Sequence, residues 1–320
     1  LNPFTEGQKR SPTKAGVGVS IVLFNPDVVK LSQTLRCLKD AFLAFDDAEF
    51  GGESVLFLID NSVPSVNRLF VEKLVENHYF GANHPQHKVI IESLGKNVGY
   101  GAAHNLAIRS HCFKYHLILN PDVYLKPNAL LTFYEYTETR NDVVLVSPKV
   151  LHKNGSVQYL LRRDPTPLDA FLRFLAIFFP AIAELRRYKR YECRDVNMNE
   201  LQEGYILSGC CMWCRTEALK KVGCFDEKFF LYWEDYDLSR KLRQIGRTVY
   251  LPSAQVIHDW DRPMAKSPRL MVTNIRSAIR FFYKWGWGVQ KFLESLHREG
   301  PGVEHCSGQS SLHGQIFSKK

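Results

Sequence analysis

Three carboxylates, Glu234, Asp235 and Asp237, stand in the stretch FDEKFFLYWEDYDLSRKLRQIG (225–246), directly behind Phe229, Phe230, Tyr232 and Trp233. Acids in the first turn of a helix gain from its dipole in any protein, which explains their presence. It does not explain their arrangement. On a wheel of about 100° per residue with Asp235 at zero, Leu238, Leu242 and Ile245 centre at about −50°. Asp235 and Glu234 then flank that apolar face. Asp237 points well away from it, toward Arg240 and Lys241 at i+3 and i+4, which satisfy it structurally. A carboxylate held at the edge of an apolar wall acts as a general base when its neighbours tune it.

Other stretches carry chemistry of a different kind. In HLILNPDVYLKP, Asp122 follows a strand and Pro121; Asn, Pro and Asp are turn formers, yet a carboxylate there also suits a hard divalent cation such as Mg²⁺ with shared phosphates. In GKNVGYGAAHN (95–105), glycines 95, 99 and 101 lead into a helix, where backbone can approach a ligand and a helix start favours an anion. The spacing is not the dinucleotide fingerprint. His258, in VIHDWDRPMAKSPR, is either a structural histidine or a metal ligand or phosphate donor.

The elements that must position these residues are legible by period. VGVSIVLF (17–24), SVLFLID (54–60), KVIIESL (88–94) and YHLILN (115–120) are short apolar, β-branched runs that read as buried parallel strands. Helical patterns over 27–45, 65–77 and 100–112 lie between them. The alternation predicts an α/β domain with a mostly parallel sheet. Ligands bind at the carboxyl ends of such strands, and here those ends read Phe24-Asn25, Asp60-Asn61-Ser62 and Asn120-Pro121-Asp122, a polar edge.

The pattern breaks after residue 150. Residues 165–194 join an apolar stretch, interrupted by Pro180, to a basic cluster with five Lys/Arg against two Glu over 184–194. Two readings stand: an interfacial segment that dips into lipid while its charges meet anionic headgroups, or a helical hairpin packed on its own domain. A further helical region, 268–297, carries Trp285 and Trp287, which also suit an interface.

Composition sets outer bounds. A chain of 320 residues with 45% hydrophobic and 23% charged residues builds a core, and its net charge of +9 favours anionic partners. A nucleic-acid binder should interleave basic and aromatic residues on an exposed sheet or helix, whereas here charge concentrates at 186–194, so nucleic acid is not expected. Eight cysteines do not suggest a disulfide scaffold. Cys211 and Cys214 would face opposite sides of a strand, and no second pair stands at zinc-finger spacing, so buried free thiols in a reducing compartment are expected. No apolar run of about 18 residues is present for a spanning helix. The first residue is not Met, so the chain is read as a fragment or tagged form.

Taken in order, VSIVLFN, FLIDNS, GKNVGYGAAHN, LILNPDV, SGCCMWCRTEALKKVGCFDEKFFLYWEDYDLSRKLRQIGRTVYLP and the following VIH resemble the inverting family-two glycosyltransferases of the GT-A fold, most closely the bacterial rhamnosyltransferase-like branch. The resemblance runs over 17–262 and is poor over 151–203. It implies a GT-A (Rossmann-like), mostly parallel sheet flanked by helices, with an inserted helical segment and C-terminal helices. It also implies a nucleotide-sugar donor, dTDP- or UDP-linked, and Mg²⁺ or Mn²⁺ bridging the diphosphate. Asn25, Asp60 and Asn61 would contact the nucleoside; Asn97, Gly101 and Asn105 would line its pocket. Asp122 would hold the metal with help from His258, and Asp235 would be the base with Glu234 beside it. Trp233, Tyr232, Ser208 and Gly209 would form the acceptor pocket. The metal motif is often Asp-x-Asp, and Asn120 replaces its first acid, as in the rhamnosyltransferase-like branch.

The expected layout is a flexible segment 1–16, a nucleotide-sugar-binding half 17–150, an insertion 151–203, an acceptor and catalytic half 204–262, C-terminal helices 263–299 and a disordered tail 300–320. The expected activity is transfer of a sugar, L-rhamnose from dTDP-rhamnose before a UDP-hexose or UDP-galactofuranose donor, onto a lipid-linked saccharide for cell-surface polysaccharide. The expected site of action is the cytoplasmic face of the plasma membrane, bound peripherally. A non-catalytic GT-A module that binds glycan or partners is the rival from another class.

Overall fold

A computed structural model describes residues 16–48, 52–80, 84–260 and 267–287. The expectations for 1–15 and 300–320, and for 263–266 and 288–299 of the C-terminal helices, fall outside the described residues. Among the described residues a sheet of nine strands forms the centre, in the order β3-β2-β1-β4-β8-β6-β9-β5 with β7 on β9. The first half is parallel: β1 (Val17–Leu23) lies between β2 (Ser54–Asp60) and β4 (Tyr115–Leu119), and β3 (His87–Ser93) adds to β2. All residues of β1, β2 and β4 are buried, which is why they read as unbroken apolar runs.

The second half is mixed. β8 (Cys211–Arg215) runs antiparallel between β4 and β6 (Val143–Leu151), and β6 is parallel to β9 (Arg247–His258). β5 (Val123–Leu125) and β7 (Gln202–Glu203) pair antiparallel with β9. Cys211 and Cys214 do face opposite sides of β8, each in a different apolar cluster, and both thiols are free.

Helices α1 (Val28–Asp47), α2 (Arg68–His78), α3 (Tyr100–Ser110) and α4 (Ala129–Glu138) flank these strands. Asp27 caps α1 through the Val29 and Lys30 amides, and Asn67 caps α2 in the same way. The insertion folds as α5 (Pro167–Leu175), a 3₁₀ turn at Pro180–Glu184 and α6 (Arg186–Tyr191). Then come α7 (Thr216–Lys221), α8 (Glu234–Arg243) and α9 (Pro268–Trp285).

A buried chain of histidines locks α3 to the sheet. The Phe113 amide donates to His111 Nδ1, so His111 Nε2–H must donate to His116 Nδ1 at 2.8 Å. His116 Nε2–H then donates to Ser20 Oγ at 2.8 Å, and the Ser20 hydroxyl donates to His104 Nδ1 at 2.6 Å. One backbone amide thus fixes every tautomer. Burial pushes His104 down to about 3, and burial with the Lys220 charge does the same to His111, so the chain is neutral. It ends on His104 Nε2, which has no hydrogen-bond partner and whose ring packs edge-on against Tyr100.

Candidate active site

The three expected strand ends meet on one edge, because Leu23 is in register with Asp60 and Ile21 with Leu119. Asn25 takes a left-handed conformation there and its amide donates to Ser62 Oγ. Asp60 is buried, its carboxylate accepting from the Ser62 and Val66 amides, so it shapes the loop after β2. Asn61 donates to Asn97 Oδ1 and the Gly99 carbonyl and accepts from the Val98 amide. Asn61 and Asn97 therefore clasp the 95–99 loop onto the β2 edge.

Gly101 and Asn105 are consumed inside the fold. A methyl on Gly101 would lie 2.7 Å from Phe225 Cβ, and one on Gly99 would lie 2.4 Å from the Phe230 carbonyl oxygen. Asn105 is fully buried and bonds to the Phe225 main chain and the Glu227 carboxylate. The Tyr100 amide, at the helix start, donates to the Phe230 carbonyl. At Gly99 and Gly101 the close approach is made by the chain's own 225–230 segment, whereas Gly95 borders open space.

That segment delivers the acids. Tyr232 and Trp233 both have φ of 67°, a left-handed pair that reverses the chain immediately before α8. Trp233 is a core residue, only 3% exposed, packed among Tyr236, Phe281 and Phe282, while Tyr232 is half-buried beside this cluster. The expected wall of Phe229 and Trp233 is thus interior; Phe230 is the exposed aromatic. Leu238 and Leu242 are buried as the wheel predicts, whereas Ile245 is exposed.

Asp235 Oδ2 accepts from the Gly209 amide at 3.0 Å and Oδ1 from the Tyr236 amide at 3.0 Å. Part of Asp235 stays open to solvent; Glu234 is 6% exposed and its Oε2 has no partner. Burial raises Glu234 well above the usual carboxylate range, and the neighbouring Asp235 charge raises it further. Burial raises Asp235 too, against the Gly209 amide and the Arg173 charge, which lower it. The donors favour Asp235 as the ionised member of the pair and Glu234 as the protonated one.

Asp237 is a correction. It does turn from the Leu238 face, but it is completely buried beneath α9, where Trp285 Nε1–H donates at 2.7 Å and Lys284 Nζ at 3.0 Å. Lys241 lies 3.6 Å from it, while Arg240 pairs with Asp164 instead.

On the other side of the edge, Asp122 Oδ1 and His258 Nε2 lie 3.5 Å apart. Asp122 Oδ1 and both ring nitrogens of His258 are buried without a hydrogen-bond partner among the described residues. Burial alone would lower the imidazole, but Asp122 and Cys210 outweigh it and push it up to about 10. The pocket therefore favours positive charge, and these orphaned atoms fit a divalent cation. Among the described residues no group of three or more His, Cys, Asp or Glu is gathered for one, so the remaining ligands must come from elsewhere.

Tyr100, to which the sequence assigned no role, and Asn120, read there only as a replaced acid, join the halves. The Tyr100 hydroxyl donates to the Gly209 carbonyl at 2.8 Å and lies 2.9 Å from Asn120 Oδ1. The Asn120 amide in turn donates to the Cys210 carbonyl. Asn120, where the first acid of the metal motif would stand, thus links the Asp122 turn to the loop that holds Asp235. Ser208 lies beside that loop and accepts from the Cys210 amide. Arg173 on α5 donates to the Tyr236 hydroxyl, which also bonds Tyr191. A lone cation in the apolar PLDAFLRFL was the available signal, since such a charge must find a partner.

No protein-family model matches the chain. Over 187 residues, 54% of this chain, it is 28% identical to an N-acetylglucosaminyl-diphospho-decaprenol L-rhamnosyltransferase of Mycobacterium tuberculosis, spanning 60% of that protein. It is 26% identical over 223 residues to the rhamnosyltransferase WbbL of Escherichia coli, covering 59% of this chain and 78% of WbbL. Among solved structures, GalNAc-T7 crystallised with UDP, GalNAc and Mn²⁺ superposes with a TM-score of 0.50 at 16% identity, over 79% of this chain and 46% of that one. The fold is therefore that of the GT-A glycosyltransferases, and the sequence relatives are glycosyltransferases that include two rhamnosyltransferases and, at 23% identity over 167 residues, a hexosyltransferase of Haloferax volcanii.

Proposed function

We propose that this chain is an inverting glycosyltransferase that moves a sugar from a nucleotide donor to a hydroxyl of a lipid-linked saccharide in cell-surface glycan synthesis. The observation that carries the reading is the pairing of two different acids across one edge. Asp235 is a carboxylate held by two amides beside a buried acid, and Asp122 is a carboxylate whose buried Oδ1 faces His258 and has no hydrogen-bond partner among the described residues.

Asp235 takes the proton of the acceptor hydroxyl. The oxygen attacks the anomeric carbon of the donor from the face opposite the diphosphate. The carbon–oxygen bond to the diphosphate breaks, the electron pair leaves with the nucleoside diphosphate, and configuration inverts. The base must come within about 3 Å of the hydroxyl, which the solvent-open side of Asp235 allows. Glu234, protonated, donates a hydrogen bond that orients the acceptor. Asp122 and His258 would hold Mg²⁺ or Mn²⁺, whose charge offsets that of the departing diphosphate. Asn25, Asn61 and Asn97 line the edge where the nucleoside would lie.

L-Rhamnose from dTDP-rhamnose is the donor best supported, through the names of the sequence relatives. We place the reaction at the cytoplasmic face of the plasma membrane. The test is a thermal-shift screen against dTDP-, UDP- and GDP-sugars with and without Mg²⁺ or Mn²⁺, followed by product analysis with a lipid-linked acceptor. A metal-dependent rise with dTDP-rhamnose and an inverted product support the reading. A UDP-sugar preference would replace the donor, and absence of any shift or turnover would overturn the enzyme.

A further inference from the structure

The basic cluster of the insertion has acids of its own. Arg187 pairs with Asp169, Lys189 with Glu184 and Arg194 with Glu192. Arg186 of that cluster makes no ion pair among the described residues, but a longer run of charges without such partners lies on α9. Its sequence, PRLMVTNIRSAIRFFYKW, contains no acid. Arg269, Arg276 and Arg280 are exposed and make no ion pair among the described residues. The acids nearest the end of the helix are taken up: Lys284 holds Asp226 and Asp237.

The outer face of α9 is also apolar. Val272, Ile275, Ile279 and Tyr283 are exposed, Tyr283 by 85%. Their spacing of three, four and four residues makes one stripe down the helix. At about 100° per residue the three arginines fall along one flank of that stripe. The opposite face, with Ser277, Phe281 and Phe282, is buried on the Trp233 cluster. Where the outer face meets Lys228 and Phe230 there is an open groove of about 670 Å³, lined by Arg276, Ile279, Arg280 and Tyr283.

We propose that the outer face of α9 lies on a bilayer surface that carries anionic phospholipid. The apolar stripe enters the acyl boundary, and Arg269, Arg276, Arg280 and Lys228 meet headgroup phosphates. Charge complementarity selects this occupant: an apolar ridge flanked by unpaired cations, with no acid on the helix, suits an interface of buried hydrocarbon beneath negative phosphate. No helix among the described residues is long and apolar enough to cross a membrane, so contact is in the plane. The face lies directly behind the acid-bearing loop, because the Ser277 hydroxyl donates to the Leu231 carbonyl. This inference rests on the α9 surface and not on the transfer reaction.

Co-sedimentation of the full chain with vesicles of phosphatidylglycerol, and separately of phosphatidylcholine, tests it. Binding to the anionic vesicles should fall on the order of 100-fold in the triple variant Arg269→Ala, Arg276→Ala, Arg280→Ala, from roughly 1 kcal/mol per basic residue at such a surface. Ile275→Ser with Ile279→Ser should weaken it as well. Arg186→Ala with Arg190→Ala, on α6, should leave it within about twofold. Equal binding by the triple variant, equal binding to both vesicle types, or loss only in the α6 variant would overturn the proposal. A donor-induced thermal shift retained by the triple variant distinguishes its failure on lipid from failure of the enzyme assignment.

Discussion

The Gly209 amide donates to Asp235 Oδ2 at 3.0 Å, while the carbonyl of the same glycine accepts the Tyr100 hydroxyl at 2.8 Å. One peptide segment thus positions the proposed base and is itself held from the other half of the sheet. Replacing the carboxylate by an amide should stop proton abstraction without disturbing the donor edge. Asp235→Asn should lower kcat by on the order of 10²–10⁴-fold and keep the donor-induced thermal shift. Wild-type turnover by this variant would remove Asp235 as the base.

Tyr100→Phe removes the hydroxyl alone. Gly209 then loses its anchor, and its amide holds the Asp235 carboxylate less well. Hydrogen bonding to the charged form lowers a carboxyl pKa, so loosening it raises that pKa. The acid limb of the kcat profile should move to higher pH, with KM for the donor little changed. A uniform fall in kcat with an unshifted limb would give Tyr100 a purely structural role.

Asp122 and His258 have orphaned atoms facing one another. Asp122→Ala should weaken metal-dependent donor binding by at least about tenfold, a loss typical of disturbed metal sites, and His258→Ala should do so to a lesser extent. The measurement is the Mn²⁺ titration of the thermal shift at fixed donor. An unchanged titration in both variants would place the cation elsewhere.

The neutral histidine chain predicts acid sensitivity. Free histidine has a pKa near 6.5, whereas His104 and His111 are held down to about 3. Between those values the unfolded chain binds protons that the folded chain refuses, so stability falls as pH drops from about 6.5 toward 3. At pH 5 each of the two should cost about 2 kcal/mol relative to neutral pH. Thermal midpoints from pH 8 to pH 4.5 should show this decline, and His104→Gln should flatten it. A flat profile in the wild-type chain would refute the buried neutral assignment.

The strands of the first half were legible because burial on both faces leaves a run of β-branched residues, and the start of α8 at Glu234 was legible from its acids and its period. β5 and α4 were not: three residues make no period, and ALLTFYEYTE is apolar on too many sides to show one. The Asn120–Tyr100–Gly209 linkage joins residues 20 and 109 positions apart, and no local pattern encodes it. The burial of Asp237 failed for the same reason, since its partners Lys284 and Trp285 arrive from a helix 47 and 48 residues on. The ion pairs of the insertion were nearer to hand. Glu184 and Glu192 stand within the basic cluster itself, and counting net charge hid their pairing.

The burial of Asp237 also decides where this chain could be cut. A chain shortened before residue 268 would strip Trp285 and Lys284 from a carboxylate with no exposed surface, two positions from the base. Lys241, at 3.6 Å, would be its one remaining cation among the described residues; losing both hydrogen-bond donors at a buried carboxylate costs several kcal/mol, relieved by protonation or by α8 pulling away. The smallest unit that folds with its acids in register therefore ends beyond α9, and in exchanges of parts between relatives α8 and α9 must travel together.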